Sequence, residues 1–137
     1  MAKDLIHNAV KQALIHDGWT ITHDPYLIRY AGEDLYADLA AERPFAAERP
    51  GEKIIVEVKS FLGYSVIQDF KEAIGQYQIY LDLLAETAPD YKLYLAVSDI
   101  TYEYDFQREI VQFVLKKNSV PLVVVDVQAE EIVEWVR

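Results

Sequence analysis

The stretch Lys53-Ile54-Ile55-Val56-Glu57-Val58-Lys59-Ser60-Phe61 narrows the possible folds of this chain more than any other, because it reads as a buried strand that carries two charges. Strand side chains alternate, so Ile54, Val56 and Val58 share one face while Ile55, Glu57 and Lys59 share the other. One face is wholly apolar; its opposite ends in a carboxylate and an ammonium. Charges are kept in near-buried positions when they are paired, bound to a metal or needed for chemistry. Two readings stay open: an ion pair between Glu57 and Lys59 at the exposed end of an ordinary strand, or part of a site.

The rest of the chain supplies the frame for that strand. Leu5, Ile6, Ala9, Val10, Ala13 and Leu14 recur at helical spacing, with Gly18 as the stop. Trp19-Thr20-Ile21-Thr22 alternates as a short strand ended by Asp24-Pro25. Residues 26–34 read as a loop with some extended character, and residues 35–42 as one strand containing Asp38. Then comes a tandem duplication, Ala40-Ala41-Glu42-Arg43-Pro44 and Ala46-Ala47-Glu48-Arg49-Pro50, read as drift in a hairpin arm, with Pro44 breaking the ladder and Pro50-Gly51 turning. A long helix is expected over residues 65–88, capped by Ser65, stopped by Pro89 and striped by Val66, Phe70, Ala73, Ile74, Tyr77, Leu81 and Leu84. A buried strand over 91–98 follows, then a helix over 103–118 with Phe106, Ile110, Phe113 and Val114 apolar. Strands at Leu122–Asp126 and Glu131–Val136 complete the pattern. Strands interleaved with helices, several of them near-continuous apolar runs, imply an α/β fold: a mixed sheet covered by helices on both faces.

At 137 residues and 52% hydrophobic composition the chain suits a single domain with a real core. No apolar run is long enough to span a bilayer and the first residues enter an amphipathic pattern directly, so a cytoplasmic protein without membrane attachment is expected. With no cysteine, any metal must be held by oxygen or imidazole. Thirteen basic against 23 acidic residues give a formal charge of −10, the wrong sign for coating DNA nonspecifically. A role on DNA therefore calls for a local patch, a metal ion or a partner.

Asp38, Glu57 and Lys59 offer such a local arrangement. Two carboxylates converging from consecutive strands can hold a hard divalent cation such as Mg²⁺, and Lys59 adds a fixed positive charge. Held against a phosphodiester, such an ion lowers the pKa of water and offsets charge on the phosphate oxygens. On the long helix Gln76 and Tyr80 lie four apart on one face, where an amide and a hydroxyl can reach a phosphate, a base or water; the plainer reading makes Tyr80 a packing residue, as Tyr77 is, and Gln76 an incidental neighbour.

Asp38, Glu57-Val58-Lys59 and Gln76-X-X-X-Tyr80, in a helix, strands, helix, strand order, resemble the PD-(D/E)XK nuclease superfamily, whose RecB-like branch carries a Gln-X-X-X-Tyr motif. More narrowly, Lys3-Asp4-Leu5-Ile6-His7-Asn8-Ala9-Val10-Lys11, Asp17-Gly18-Trp19-Thr20-Ile21-Thr22-His23-Asp24-Pro25, Glu57-Val58-Lys59-Ser60-Phe61 and Ile132-Val133-Glu134-Trp135 resemble the XisH family. That family is described as controlling excision of the fdxN DNA element beside a site-specific recombinase and a companion protein, XisI. The resemblance implies a restriction-endonuclease-like core and, through the superfamily, a metal-dependent DNA endonuclease using Mg²⁺ or Mn²⁺. It makes Asp38 and Glu57 metal ligands with the main-chain carbonyl of Val58 as a third, Lys59 the water-orienting group and Gln76 an auxiliary contact. Ala37 stands where the superfamily often has proline, and no glutamate occupies the first helix, where Asp4 and His7 are the substitutes. His7 reads either as a ligand or as a packed, hydrogen-bonded histidine. A bulge at Pro44 would place Glu42 opposite Lys59 in place of Asp38.

The competing expectation is a noncatalytic regulatory module that keeps the fold and binds XisI or a recombinase, which the acidic charge favours. Ten tyrosines, among them Tyr26, Tyr30, Tyr102 and Tyr104, suggest a homodimer or a complex with XisI through those segments.

Overall fold

The computed structural model describes residues 2–44 and 51–137. Residues 45–50, with them the Pro50-Gly51 turn and the second copy of the duplication, and the side chain of Asp4 lie outside the described residues.

Helix α1 (Ala2–His16) buries Ala9, Val10, Ala13 and Leu14. It stops at Gly18, whose φ of +94° lies in the left-handed region that glycine enters without a Cβ penalty. Strand β1 (Thr20–His23) follows, then two strands that pair only with each other, β2 (Tyr26–Tyr30) and β3 (Glu33–Ala37). The segment expected as a loop is thus half of a hairpin, and the strand expected over 35–42 is two strands. Residues up to Ala37 pair with β2, whereas β4 (Leu39–Arg43) pairs with β1 and with β5 (Glu52–Val58). Asp38 sits in the one-residue gap between two sheets.

Helix α2 (Val66–Thr87) starts where the Ser65 side chain accepts from the Gln68 N–H at 3.2 Å. It buries Phe70, Ala73, Tyr77, Tyr80 and Leu84, so Tyr80 takes the core position expected of Leu81, which is exposed. Strand β6 (Lys92–Ser98) leads to α3 (Asp99–Tyr104) and α4 (Glu109–Lys117), not to a single helix. Between them Phe106 is fully buried, edge-on to both Phe61 and Phe70, and a continuous helix over 103–118 gives way to that inward turn. Helix α4 then buries Val111 and Leu115 and leaves Ile110 and Phe113 exposed, a different stripe from the one expected. Strands β7 (Leu122–Asp126) and β8 (Glu131–Val136) close the chain.

The main sheet has six strands in the order β1-β4-β5-β6-β7-β8, parallel through β5-β6-β7 and antiparallel toward both edges. Alternation along β5 assigns its two faces as expected. Ile54 and Val56 pack with Val10, Ala13 and Leu14 of α1, while Ile55 packs with Phe70, Ala73, Tyr77 and Tyr80 of α2. The hairpin β2-β3 shares the α2 side through Ile28 and Ala37. Among the described residues no helix is long and apolar enough to cross a membrane.

Candidate functional site

The β4-β5 ladder runs from Arg43 opposite Glu52 to Leu39 opposite Val56 and goes no further in main-chain pairing. Beyond it, two carboxylates take over the bonding. The Asp38 N–H donates to Glu57 Oε1 at 3.0 Å, and the Val58 N–H donates to Asp38 Oδ2 at 2.7 Å. Each side chain is thereby fixed by the backbone of the other segment, and the shorter bond, to Asp38, has the length of a charge-assisted one. An N–H and C=O of one strand residue point the same way, so the Val58 carbonyl is directed toward this gap as well.

Glu57 is 3% exposed. Burial, then the charge of Asp38 and a hydrogen bond between the two carboxyls, push Glu57 up to about 8, against the opposing pull of the Asp38 N–H and Lys59. Glu57 is thereby held toward its neutral form at neutral pH. Among the described residues Glu57 makes no ion pair with Lys59, so the ordinary surface-pair reading fails. Lys59 lies just past the end of β5, its N–H still bonded to the Ala96 carbonyl at 3.0 Å, and its side chain faces the space beside Glu57.

A cleft of about 420 Å³ opens there, lined by His7, Asp38, Glu57, Val58, Lys59, Ser60 and Gln76. All four side chains singled out from the sequence reach it. Gln76 and Tyr80 play different parts. The Gln76 Nε2 donates to the Tyr80 hydroxyl at 3.0 Å, and that hydroxyl donates to the Tyr36 carbonyl at 2.9 Å. Tyr80 is buried and does not line the cleft; it ties α2 to β3 two residues before Asp38 and orients the Gln76 amide toward the opening. Glu42 is not an alternative to Asp38. It pairs with Lys53 at the opposite end of the ladder and is exposed there.

His7 enters the same cleft, and its Nε2 lies 2.8 Å from Asp24 Oδ1, while Lys11 Nζ holds Asp24 Oδ2 at 2.8 Å. Burial pulls Asp24 upward, but the hydrogen bonds from Lys11 and His7 outweigh it and the carboxyl is held low. Asp24 is a residue that sequence reading used only to end a strand. Its pairing with His7 spans 17 residues, and only tertiary structure displays it.

Among the described residues no group of three His, Cys, Asp or Glu side chains forms a metal cage. What is present is a pair of carboxylates with a main-chain carbonyl directed beside them, which fits a hard cation that keeps several of its waters.

A family model described as XisH protein matches residues 1–133. In structure the chain resembles an XisH family protein from Nostoc punctiforme PCC 73102, with 41% identity and a TM-score of 0.90 over 98% of this chain and 100% of that one. It also resembles an fdxN element excision controlling factor protein from Anabaena variabilis, with 42% identity and a TM-score of 0.89 over 98% of this chain and 99% of that one. No curated protein matches.

Proposed function

The chain belongs to the XisH family, and from that premise we propose that it acts in controlled excision of a DNA element, through a cleft built to bind Mg²⁺ or Mn²⁺ and to act on a phosphodiester. The observation that carries this reading is the Asp38-Glu57 pair. A buried Glu57 carboxyl and a half-buried Asp38 carboxyl, pinned side by side by each other's backbone, work against folding, and a cation or a substrate gives them a use. In this reading Asp38, Glu57 and the Val58 carbonyl hold the ion. When bound, it supplies positive charge against the phosphate oxygens and acidifies water. Lys59 orients the attacking water and adds a fixed cation beside it. Gln76, held by Tyr80, contacts the phosphate or that water. The arrangement of Asp38, Glu57-X-Lys59 and Gln76-X-X-X-Tyr80 on two strands and a flanking helix supports placing the chain in the PD-(D/E)XK nuclease superfamily.

The charge of −10 favours an assembly over action alone, since the free domain is steered away from polyphosphate. The partners in this reading are an XisI-like companion, a site-specific recombinase or a second copy. Tyr30 and Tyr104 are exposed and available for such contacts, whereas Tyr26 and Tyr102 pack against the core. The same charge supports a second reading, in which the chain is a noncatalytic module that holds XisI or the recombinase.

The experiment that separates them measures cleavage of DNA, alone and with the companion protein, with and without Mg²⁺ or Mn²⁺. Slow metal-dependent cleavage that disappears in Lys59→Ala, with the melting transition unchanged, is expected. Cleavage that persists in a pure Lys59→Ala preparation assigns it to another site, and none under any condition leaves the regulatory reading. Light scattering of the chain with and without XisI reports the assembly; a monomer in both samples removes it.

A further inference from the structure

Lys59 and Gln76 reach the cleft from the side of the sheet covered by α2, because Lys59 shares the β5 face of Glu57 and Ile55. His7 reaches it from the other side. It stands on α1, which packs on the face of Ile54 and Val56. A phosphodiester seated between them therefore has a water-orienting cation on one wall and an imidazole on the opposite wall. Displacement at phosphorus places the attacking and leaving oxygens roughly in line on opposite sides, so the two walls face the two ends of the reaction.

The imidazole is held for a task. Asp24, itself fixed by Lys11, is an anion that only accepts hydrogen bonds, so the ring nitrogen facing it, Nε2, is the donor. That bond sets the ring's orientation and leaves Nδ1 as the nitrogen to serve the cleft. A histidine whose only duty was to tie α1 to the residue after β1 would have no need to line the same space as Asp38, Glu57, Lys59 and Gln76.

We infer that His7, positioned by Asp24, is the proton donor of this cleft and gives its Nδ1 proton to the leaving oxygen of the scissile phosphodiester. The inference rests on the phosphodiester reading above and extends it to the departing side. The bond from the water oxygen to phosphorus forms as the bridging P–O bond breaks. The water's proton passes to solvent, the imidazolium proton passes to the leaving oxygen, and the products are a phosphomonoester, an alcohol and a neutral His7 that solvent reprotonates. The groups that face His7 during this step are Asp24 and Lys11 on its own side and Asp38, Glu57 and Lys59 across the cleft.

The test uses single-turnover cleavage by the full chain, with its companion protein where that is required, in Mg²⁺. Three oligonucleotides of one sequence are compared: an ordinary one, one with sulfur as the 3′-bridging atom and one with sulfur as the 5′-bridging atom. A thiolate, from a group of pKa about 8.5, leaves without a proton, whereas an alkoxide, whose parent is about as weak an acid as water at about 15.7, does not. His7→Gln is expected to slow the ordinary oligonucleotide by about 10²-fold. It should slow the one with sulfur on the departing side by little. Asp24→Asn should show the same pattern in weaker form, with the melting temperature of each variant measured alongside. Equal slowing of all substrates, or no slowing of any, overturns the assignment. Rescue of His7→Gln by raised Mg²⁺ and not by sulfur also overturns it, since that makes His7 a metal ligand. Wild-type chain that cleaves none of the three overturns the phosphodiester reading and this step with it.

Discussion

The two ends of the β4-β5 ladder both carry charged residues and treat them in opposite ways. At the hairpin end, Arg43 stands opposite Glu52 and Glu42 opposite Lys53, all within reach of water. Each cation there finds an anion: Arg43 with Asp17 at 2.8 Å, Lys53 with Asp90 at 3.2 Å and Arg137 with Glu52 at 3.7 Å. At the other end two carboxyls lie against each other, Asp38 half-buried and Glu57 buried, and burial and the charge of Asp38 hold Glu57 toward its neutral form. Neutralisation in water is what any folded surface does and contributes little. Gathering carboxyls away from water costs stability, and so points to something outside folding that the site is kept for. A single ladder thus holds solvated, paired charges at one end and carboxyls drawn together away from water at the other.

The largest expected effect comes from removing the buried charge. The folded Glu57 carboxyl keeps its proton up to about 8, whereas an unfolded glutamate releases it near 4.5, so the folded chain binds more protons between those values. Stability is therefore fully favoured below about 4.5 and falls as pH rises toward and through 8. Glu57→Gln keeps the shape and an oxygen to accept the Asp38 N–H, and it abolishes this titration. At pH 9 the variant should be more stable than wild type by an amount on the order of a few kcal/mol, and near pH 4 the difference should vanish. Thermal melting across pH checks this; a wild-type Tm that does not fall from pH 5 to pH 9 would mean that the buried Glu57 carries no such strain.

A divalent cation sharpens the same contrast. If it sits between Asp38 and Glu57 it competes with the Glu57 proton, so Mg²⁺ should raise Tm by more at pH 9 than at pH 6. In Asp38→Asn the rise should disappear. Equal rises in both proteins would place the ion at the hairpin end or elsewhere on this acidic surface.

The next effect in size is that of the support behind the site. Tyr80→Phe removes the hydroxyl that donates to the Tyr36 carbonyl and accepts from Gln76. Leaving those groups unpaired should cost about 1–2 kcal/mol. Denaturant melts give that number. Metal-dependent cleavage, where measured, should fall by less than in Lys59→Ala, because Gln76 is misaligned and not lost.

Much of this was legible in the sequence because periodicity and spacing are local. The apolar runs of β5, β6 and β7 read as buried strands, and the two faces of β5 followed from alternation alone. Asp38, Glu57, Lys59 and Gln76 could be picked out because two consecutive strands and the next helix bring them together whatever the details of the turns. What stayed hidden depended on competition between distant partners. No glycine or proline marks the break at Asp38; it exists because β3 pairs with β2 while β4 pairs with β5. The inward turn of Phe106 splits a stretch that holds no glycine or proline to mark the break, and α4 has two apolar stripes between which only the sheet chooses. The duty of Tyr80 rests on a bond spanning 44 residues.

The smallest effect belongs to the exposed end, where Lys53 bonds Asp90 and lies over the Tyr91 ring. The hydrogen bond from Lys53 holds the Asp90 carboxyl below its usual range, the reverse of the shift at Glu57. The pH response is reversed with it: a depressed carboxyl stabilises the fold above its unfolded value near 3.8 and loses that contribution as pH falls through the folded one. Both groups are solvated, so water and salt screen the pair. Lys53→Ala should therefore lower Tm at pH 7 by only about a degree. That difference should shrink further in 1 M salt and below pH 3, while the difference made by Glu57→Gln grows in the alkaline direction and is insensitive to salt. A Lys53→Ala effect as large as that of Glu57→Gln would mean that water does not separate the two ends of the ladder in the way their exposures require.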